Sequence, residues 1–152
     1  MELAALIISI FALGVSIWVA FFEGRRDYKI NRINLESVYF KEIYTEHLVT
    51  KIPKARNYIY FNQDNQLSGT KNLINELKEL RRDSLYFQYH SKSFYDELND
   101  TIQSLEDYLV ANTKKVFVGE VRDEFMESLH NMIEDMYSII SEGYLGKYFS
   151  LK

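Results

Sequence analysis

The side chains that could do chemistry are three histidines, His47, His90 and His130, six scattered glycines and several short clusters of Lys and Arg; cysteine is absent. Without thiols there are no disulfides, no thiolate nucleophile and no cysteine-ligated zinc or iron–sulfur centre. The histidines belong to no HExxH motif and share no ligand spacing with carboxylates, so no metal site is expected and each reads as a surface or capping residue. Gly14, Gly24, Gly69, Gly119, Gly143 and Gly146 compose no phosphate-cradling loop, which argues against a kinase or nucleotide hydrolase. No GxSxG frames a nucleophilic serine. These residue types point away from an enzyme, and no cofactor is expected.

Cations interleaved with aromatics are the chemical signal left. Lys51, Lys54 and Arg56 flank Pro53; Lys78, Arg81 and Arg82 share one expected helix; Lys114 and Lys115 fall in a connection. Tyr58, Tyr60, Tyr86, Phe87 and Tyr89 lie nearby in the chain. A surface of this kind neutralises phosphates while its rings stack on bases. Lys51, Lys54, Arg56, Lys78, Arg81 and Arg82 are therefore the candidate residues for binding an oligonucleotide or nucleotide. A solvated face partly paired with acids is the competing reading of any one cluster. Repeated around an oligomer axis, a single cluster becomes a ring.

The strongest feature carries no chemistry of its own. Leu3 to Phe22 reads LAALIISIFALGVSIWVAFF, twenty residues without a charge, which at ~1.5 Å per residue gives a helix of ~30 Å, the thickness of a bilayer's hydrocarbon. A signal peptide fits badly: Glu2 stands where a cation belongs, the apolar run is too long, and FFEGRR offers no small-x-small cleavage site. Arg25, Arg26, Lys29 and Arg32 follow the span and only Met1 and Glu2 precede it, so the positive-inside rule places the N-terminus outside and the rest in the cytoplasm, with the chain a single-pass protein of the cell's inner membrane. Trp18, Phe21 and Phe22 suit the headgroup level. Ala5, Ser9, Ala12, Ser16 and Ala20 fall within ~80° of one another on the helix, at 100° per residue. Small residues let helix backbones approach, and Ser can bond across a pair or line a wet path, so this stripe is the expected packing or pore face of a homo-oligomer. One span cannot enclose a pore.

Charge is graded along the chain. Net charge is −4, yet residues 23–62 carry eight Lys/Arg against five Asp/Glu, while residues 63–152 carry ten against sixteen. The cationic part adjoins the membrane, where anionic headgroups attract it. It would also draw in a nucleic acid or nucleotide.

The elements that position these groups read as helices throughout: an all-α chain with one N-terminal transmembrane helix (1–24) followed by a cytoplasmic helical bundle (25–152). Residues 25–50 are expected to form a juxtamembrane stalk with Ile30, Ile33, Leu35, Val38, Tyr39, Ile43, Tyr44 and Leu48 on its apolar side. Pro53 should stop or kink it, ahead of a short helix near Ala55–Phe61. Asn62–Thr70 reads as a loop. A helix over about 71–89 then carries Leu73, Ile74, Leu77, Leu80 and Leu85 inward. With Ser93 as N-cap, the next has Phe94, Leu98, Ile102, Leu105 and Leu109 as a buried stripe. The last, about 119–141, turns Val121, Phe125, Leu129, Met132, Met136 and Ile140 inward and ends at Gly143 and Gly146. Val116–Val118, VFV, is the one place where a short strand could pair instead.

This plan, from LAALIISIFALG through RRDSLYFQYH to the last helix, resembles the compact single-span membrane effectors of bacterial antiphage defence. Two families share it: the membrane-pore protein of type VI-B CRISPR systems, with its divergent HEPN-like domain, and the membrane effector of Hailong defence, an oligomeric channel controlled by a DNA oligomer. The resemblance is architectural. It implies an oligomeric, non-enzymatic pore gated by a nucleic-acid or nucleotide signal, with membrane lipids and a partner defence protein as further partners. A HEPN ribonuclease would place four to six residues between its Arg and His. Arg82 and His90, like Arg122 and His130, are separated by seven. The expectations are thus, in order, a gated channel, a non-enzymatic anchor for a partner protein, and a membrane-bound ribonuclease using Arg82 and His90.

Overall fold

In the computed structural model the described residues are 14–24, 37–113 and 115–145. The chain divides into two compact units, Met1–Val38 and Tyr39–Lys152. In the first, residues 14–24 are helical and every one of them is exposed. Trp18 and Phe22 pack against each other on this helix, ring centroids 4.9 Å apart. Among the described residues no helix is long and apolar enough to cross a membrane. Residues 3–13 of the expected span, like most of the stalk's first half (25–36), lie outside the described residues.

The second unit is mostly helical. The chain is α-helical over 37–43, continues as a π-helical segment Tyr44–Lys51, and returns to α geometry in α1 (Ile52–Arg56). A two-stranded antiparallel hairpin follows, β1 (Tyr60–Phe61) and β2 (Leu67–Ser68), with Tyr60 opposite Ser68 and Phe61 opposite Leu67. Then come α2 (Thr70–Asp83), α3 (Leu85–His90), α4 (Lys92–Asn112) and α5 (Glu120–Tyr144). The longest contact is α4 against α5, while α2 packs on both α1 and α4.

The period of the apolar residues explains most of this. Phe94, Leu98, Ile102, Leu105 and Leu109 are all buried, as are Leu73, Leu77 and Leu80 of α2 and Phe125, Leu129, Met136 and Ile140 of α5. Each such side chain contributes about 1.5–3 kcal/mol by leaving water. At one end of the core Phe40 meets Phe87 and Phe94, centroids 4.4 and 4.8 Å away. At the other end Phe61, Phe117 and Phe125 cluster, and Tyr108 stacks on Phe125 at 5.3 Å.

Several expectations are corrected. Phe40, Ile43, His47 and Leu48 are buried, so residues 39–50 belong to the core instead of projecting as a stalk. Residues 60–68 are not the end of a helix and a loop. Asn62 Oδ1 accepts the amides of Asp64 and Gln66 at 3.0 and 2.8 Å, and Asn65 takes positive φ. This side-chain-closed turn supplies locally what a regular ladder would not. The hairpin is extended by a bridge between Gln66 and Val116 and by the Phe117 amide donating to the Asn65 carbonyl at 2.9 Å, so the VFV segment does pair. Gly69, at φ +82°, lets the chain pass the Tyr58 carbonyl; a Cβ there would lie 1.8 Å from its oxygen.

The single helix expected over 71–89 is interrupted at Ser84, where the Leu80 carbonyl accepts both the Ser84 amide at 2.9 Å and its buried hydroxyl at 2.7 Å, and α3 starts afresh at Leu85. Leu85 is consequently exposed. The N-cap position of α4 falls two residues before Ser93, at Ser91, and the helix starts at Lys92. Val121, the second residue of α5, is exposed, and Ile133 and Ile139 are buried in addition. Helix α5 ends at Tyr144, between the two glycines expected to end it, with Gly143 as its last residue but one. At Gly143 a Cβ would come within 2.7 Å of Phe40 and 2.8 Å of Phe94.

Candidate functional site

The polar side chains converge where the π segment packs on α2. His47 is buried at 1% exposure, and its Nε2 lies 3.1 Å from Oδ2 of Asp83. A carboxylate only accepts, so the ring proton at Nε2 faces it. Arg82 Nε donates to the other oxygen of the same carboxylate at 3.0 Å. One turn along, Lys51 bridges Glu46 at 2.7 Å and Glu79 at 3.0 Å. From the opposite side, the Tyr137 hydroxyl of α5 donates to the backbone carbonyl of Leu48. His47 is thus not the surface or capping residue expected.

The ionisation of these groups follows from their neighbours. Burial pushes the Asp83 carboxyl up, but hydrogen bonds from Arg82 and His47 outweigh it and hold the group below its ordinary value. Hydrogen bonds to Glu46 and Glu79 raise the Lys51 ammonium, and the bond from Lys51 lowers Glu46 in return. Arg82 is raised by its bond to Asp83. Burial, then the neighbouring Tyr44, raise Tyr137 against the opposing pull of Arg56. The phenol therefore stays protonated and able to donate.

A second polar contact joins α2 to α4. Arg81 donates to Glu106 at 2.8 Å and to Gln103 at 3.2 Å, with the Glu106 side chain 8% exposed. Half-buried pairs of this kind orient helices more than they stabilise them.

The six candidate ligand-binding cations therefore separate into two groups. Lys51, Arg81 and Arg82 are engaged in ion pairs within the fold. Lys54 and Lys78 are exposed, and Arg56 is half-buried with its Nε unpartnered by protein. Arg122, another cation, lies over the Phe61 ring at 4.6 Å. Of the stripe, Ser16 and Ala20 are exposed on helix 14–24, whereas Ala5, Ser9 and Ala12 lie outside the described residues, as do Arg25, Arg26, Lys29 and Arg32.

No family model, curated protein or solved structure matches this chain. The site must be read from its own geometry. Among the described residues no group of three or more His, Asp and Glu gathers as metal ligands would. Arg82 and His90 sit on different helices, separated by the break at Ser84, and the His90 ring stacks on Tyr86 at 4.2 Å. Charge further divides the surface: apart from the buried Glu106, α4 and α5 together carry eleven Asp/Glu against Lys92 and Arg122, an excess that repels phosphate.

Sequence reasoning missed His47, Asp83 and Tyr137. A signal for the first was present, because His47 falls four residues after Ile43, on the apolar side of its helix. Asp83 and Tyr137 are 36 and 89 residues from their partners, and no local pattern links them.

Proposed function

We propose that the chain is an oligomeric membrane effector of the antiphage type: a pore-forming channel anchored by its N-terminal span, and gated by a nucleic-acid or nucleotide signal taken up by the helical domain. The observation that carries this is the uncharged run Leu3–Phe22. It is supported by the exposure of the helix at 14–24, where Val15, Ile17, Trp18 and Phe21 are each more than half exposed. So much apolar surface along one helix needs lipid or neighbouring helices to cover it. Ser9 and Ser16 of the small-residue stripe would face the helix contacts or the conduction path, and Arg25, Arg26, Lys29 and Arg32 would shape the inner mouth. For the signal, the acidic α4–α5 pair is unfavourable. The exposed Lys54 and Lys78, with the half-buried Arg56 beside them in the candidate set, are the better contacts, since Lys51, Arg81 and Arg82 already have acidic partners.

The test is the oligomeric state in detergent together with bilayer currents recorded with and without short oligonucleotides. The expected result is an oligomer whose currents respond to the oligonucleotide. Replacing Ser9 and Ser16 with Leu should abolish assembly or conductance, and Lys54→Glu with Lys78→Glu should weaken the response. A monomer that never conducts would sink the channel.

A second reading, a non-enzymatic anchor for a partner protein, is favoured by one observation. Half of the candidate ligand cations are consumed internally, while Tyr58, Tyr60 and Tyr89 stand exposed. Rings of this kind are common at protein interfaces. Conductance without a bound partner protein would exclude it. No observation favours the ribonuclease, and unchanged RNA cleavage in His90→Ala would dispose of it.

A further inference from the structure

The helix that runs from residue 37 to Arg56 changes its hydrogen-bond register just before Pro53. The last bond of the π segment runs from the Ile52 amide to the His47 carbonyl, five residues back. That bond takes the amide that would serve Leu48 in an α register. The amide that would serve Leu48 in the π register is that of residue 53, a proline, which has none. Leu48 is 1% exposed, so water does not supply the donor that a buried carbonyl needs. The Tyr137 hydroxyl does.

An α register would give the Leu48 carbonyl a backbone donor. Ile52 would then serve Leu48, and the carbonyl lacking an amide would be that of Val49, a residue 59% exposed and open to solvent. The Leu48 carbonyl thus has a donor in either register, the Tyr137 hydroxyl in one and the Ile52 amide in the other. The π register also suits the side chains. Ile43 and Leu48, five apart, are both buried, as a helix closing every five residues favours.

We propose that residues 44–56 form a two-register joint in which the Tyr137 hydroxyl selects the π register, and with it the seating of His47 on Asp83 and of Lys51 on Glu79. Passing to the α register turns the helix on one side of the joint by about 100° relative to the other. Phe40 and Ile43 on one side, or His47 and Leu48 on the other, must then leave their places in the core. The α register is therefore the minor state, and a signal acts by shifting its population. The regulatory role rests on the membrane-effector reading above, under which the joint lies on the covalent path between the bundle and the span.

Amide hydrogen exchange of the full chain in detergent micelles tests the joint without reference to conductance. Tyr137→Phe keeps the ring and removes the donor. Exchange should accelerate roughly tenfold within 44–56, while the amides of Leu98 to Leu109 are unchanged. Pro53→Ala supplies an amide that can serve the Leu48 carbonyl in the π register, so that Leu48 no longer depends on the Tyr137 hydroxyl. In that background Tyr137→Phe should alter exchange by less than about twofold. Unchanged exchange in Tyr137→Phe would overturn the joint. So would a uniform acceleration over all helices, or a tenfold effect that persists beside Pro53→Ala. A chain that passes these tests but never conducts keeps the joint and refutes the channel.

Discussion

Two of the bundle's long-range contacts are built on opposite principles. Where α4 meets α5 the interface is apolar, with Leu98, Ile102, Leu105 and Leu109 buried on one side and Phe125, Leu129, Met136 and Ile140 on the other. Where the π segment meets α2 it is joined by His47–Asp83 and Lys51–Glu79, with Tyr137 bonded to the Leu48 carbonyl. Apolar burial is non-directional, proportional to area and almost indifferent to pH and salt. Hydrogen-bonded charge is directional, modest in net energy and sensitive to both. One contact holds the domain together. The other fixes a register, and can be loosened without unfolding the rest.

The comparison can be broken most directly from the apolar side. Leu105→Ala should cost about 3 kcal/mol in urea unfolding, because the truncation leaves a cavity in a fully buried row. Gly143→Ala should follow at about 1–3 kcal/mol, since the added methyl would press on Phe40 and Phe94 at 2.7 and 2.8 Å. A neutral Gly143→Ala would mean that the aromatic end of the core is looser than the contact with α4.

The polar side should yield smaller effects with a signature. Asp83→Asn should cost about 1 kcal/mol or less at neutral pH, the site being partly exposed. Its sign with pH is set by the lowered carboxyl of Asp83. A carboxylate depressed on folding stabilises fully above its unfolded value, ordinarily near 3.8, and loses that contribution as pH falls through the folded value. The difference between the parent and Asp83→Asn should therefore be constant above about pH 5 and shrink below about pH 4. A difference that stays flat to pH 2 would remove the charge from the explanation. Smallest of all, Lys51→Met should cost a fraction of about 1 kcal/mol, and that fraction should fade in 1 M salt. Leu105→Ala measured in the same salt should keep its full cost.

How much of this was legible beforehand follows the same division. The α4 stripe, Leu73, Leu77 and Leu80 of α2, and four of the inward positions of α5 could be read from spacing alone, because a helical period maps sequence directly onto one face. Ser84 could not be read as a break, since a serine inside an otherwise continuous helical period carries no stop signal. Gly143 looked like a stop signal. Its lack of a Cβ serves packing against two phenylalanines that are remote in the chain.

Taken alone, the sequence determined the helical class, the uncharged N-terminal run, the absence of thiol chemistry and the rise of negative charge toward the C-terminus. These are properties of composition and local period, and they need no partner across the fold. Tertiary structure decided which charges are spent and which stay accessible. Lys51 and Arg81 are indistinguishable from Lys54 and Lys78 in one dimension, and differ because Glu79 and Glu106 face them across the fold. It also decided the register at Pro53. The proline announces a missing amide, but the sequence does not say what replaces it; the Tyr137 hydroxyl, 89 residues away from Leu48, does so only once α5 has packed.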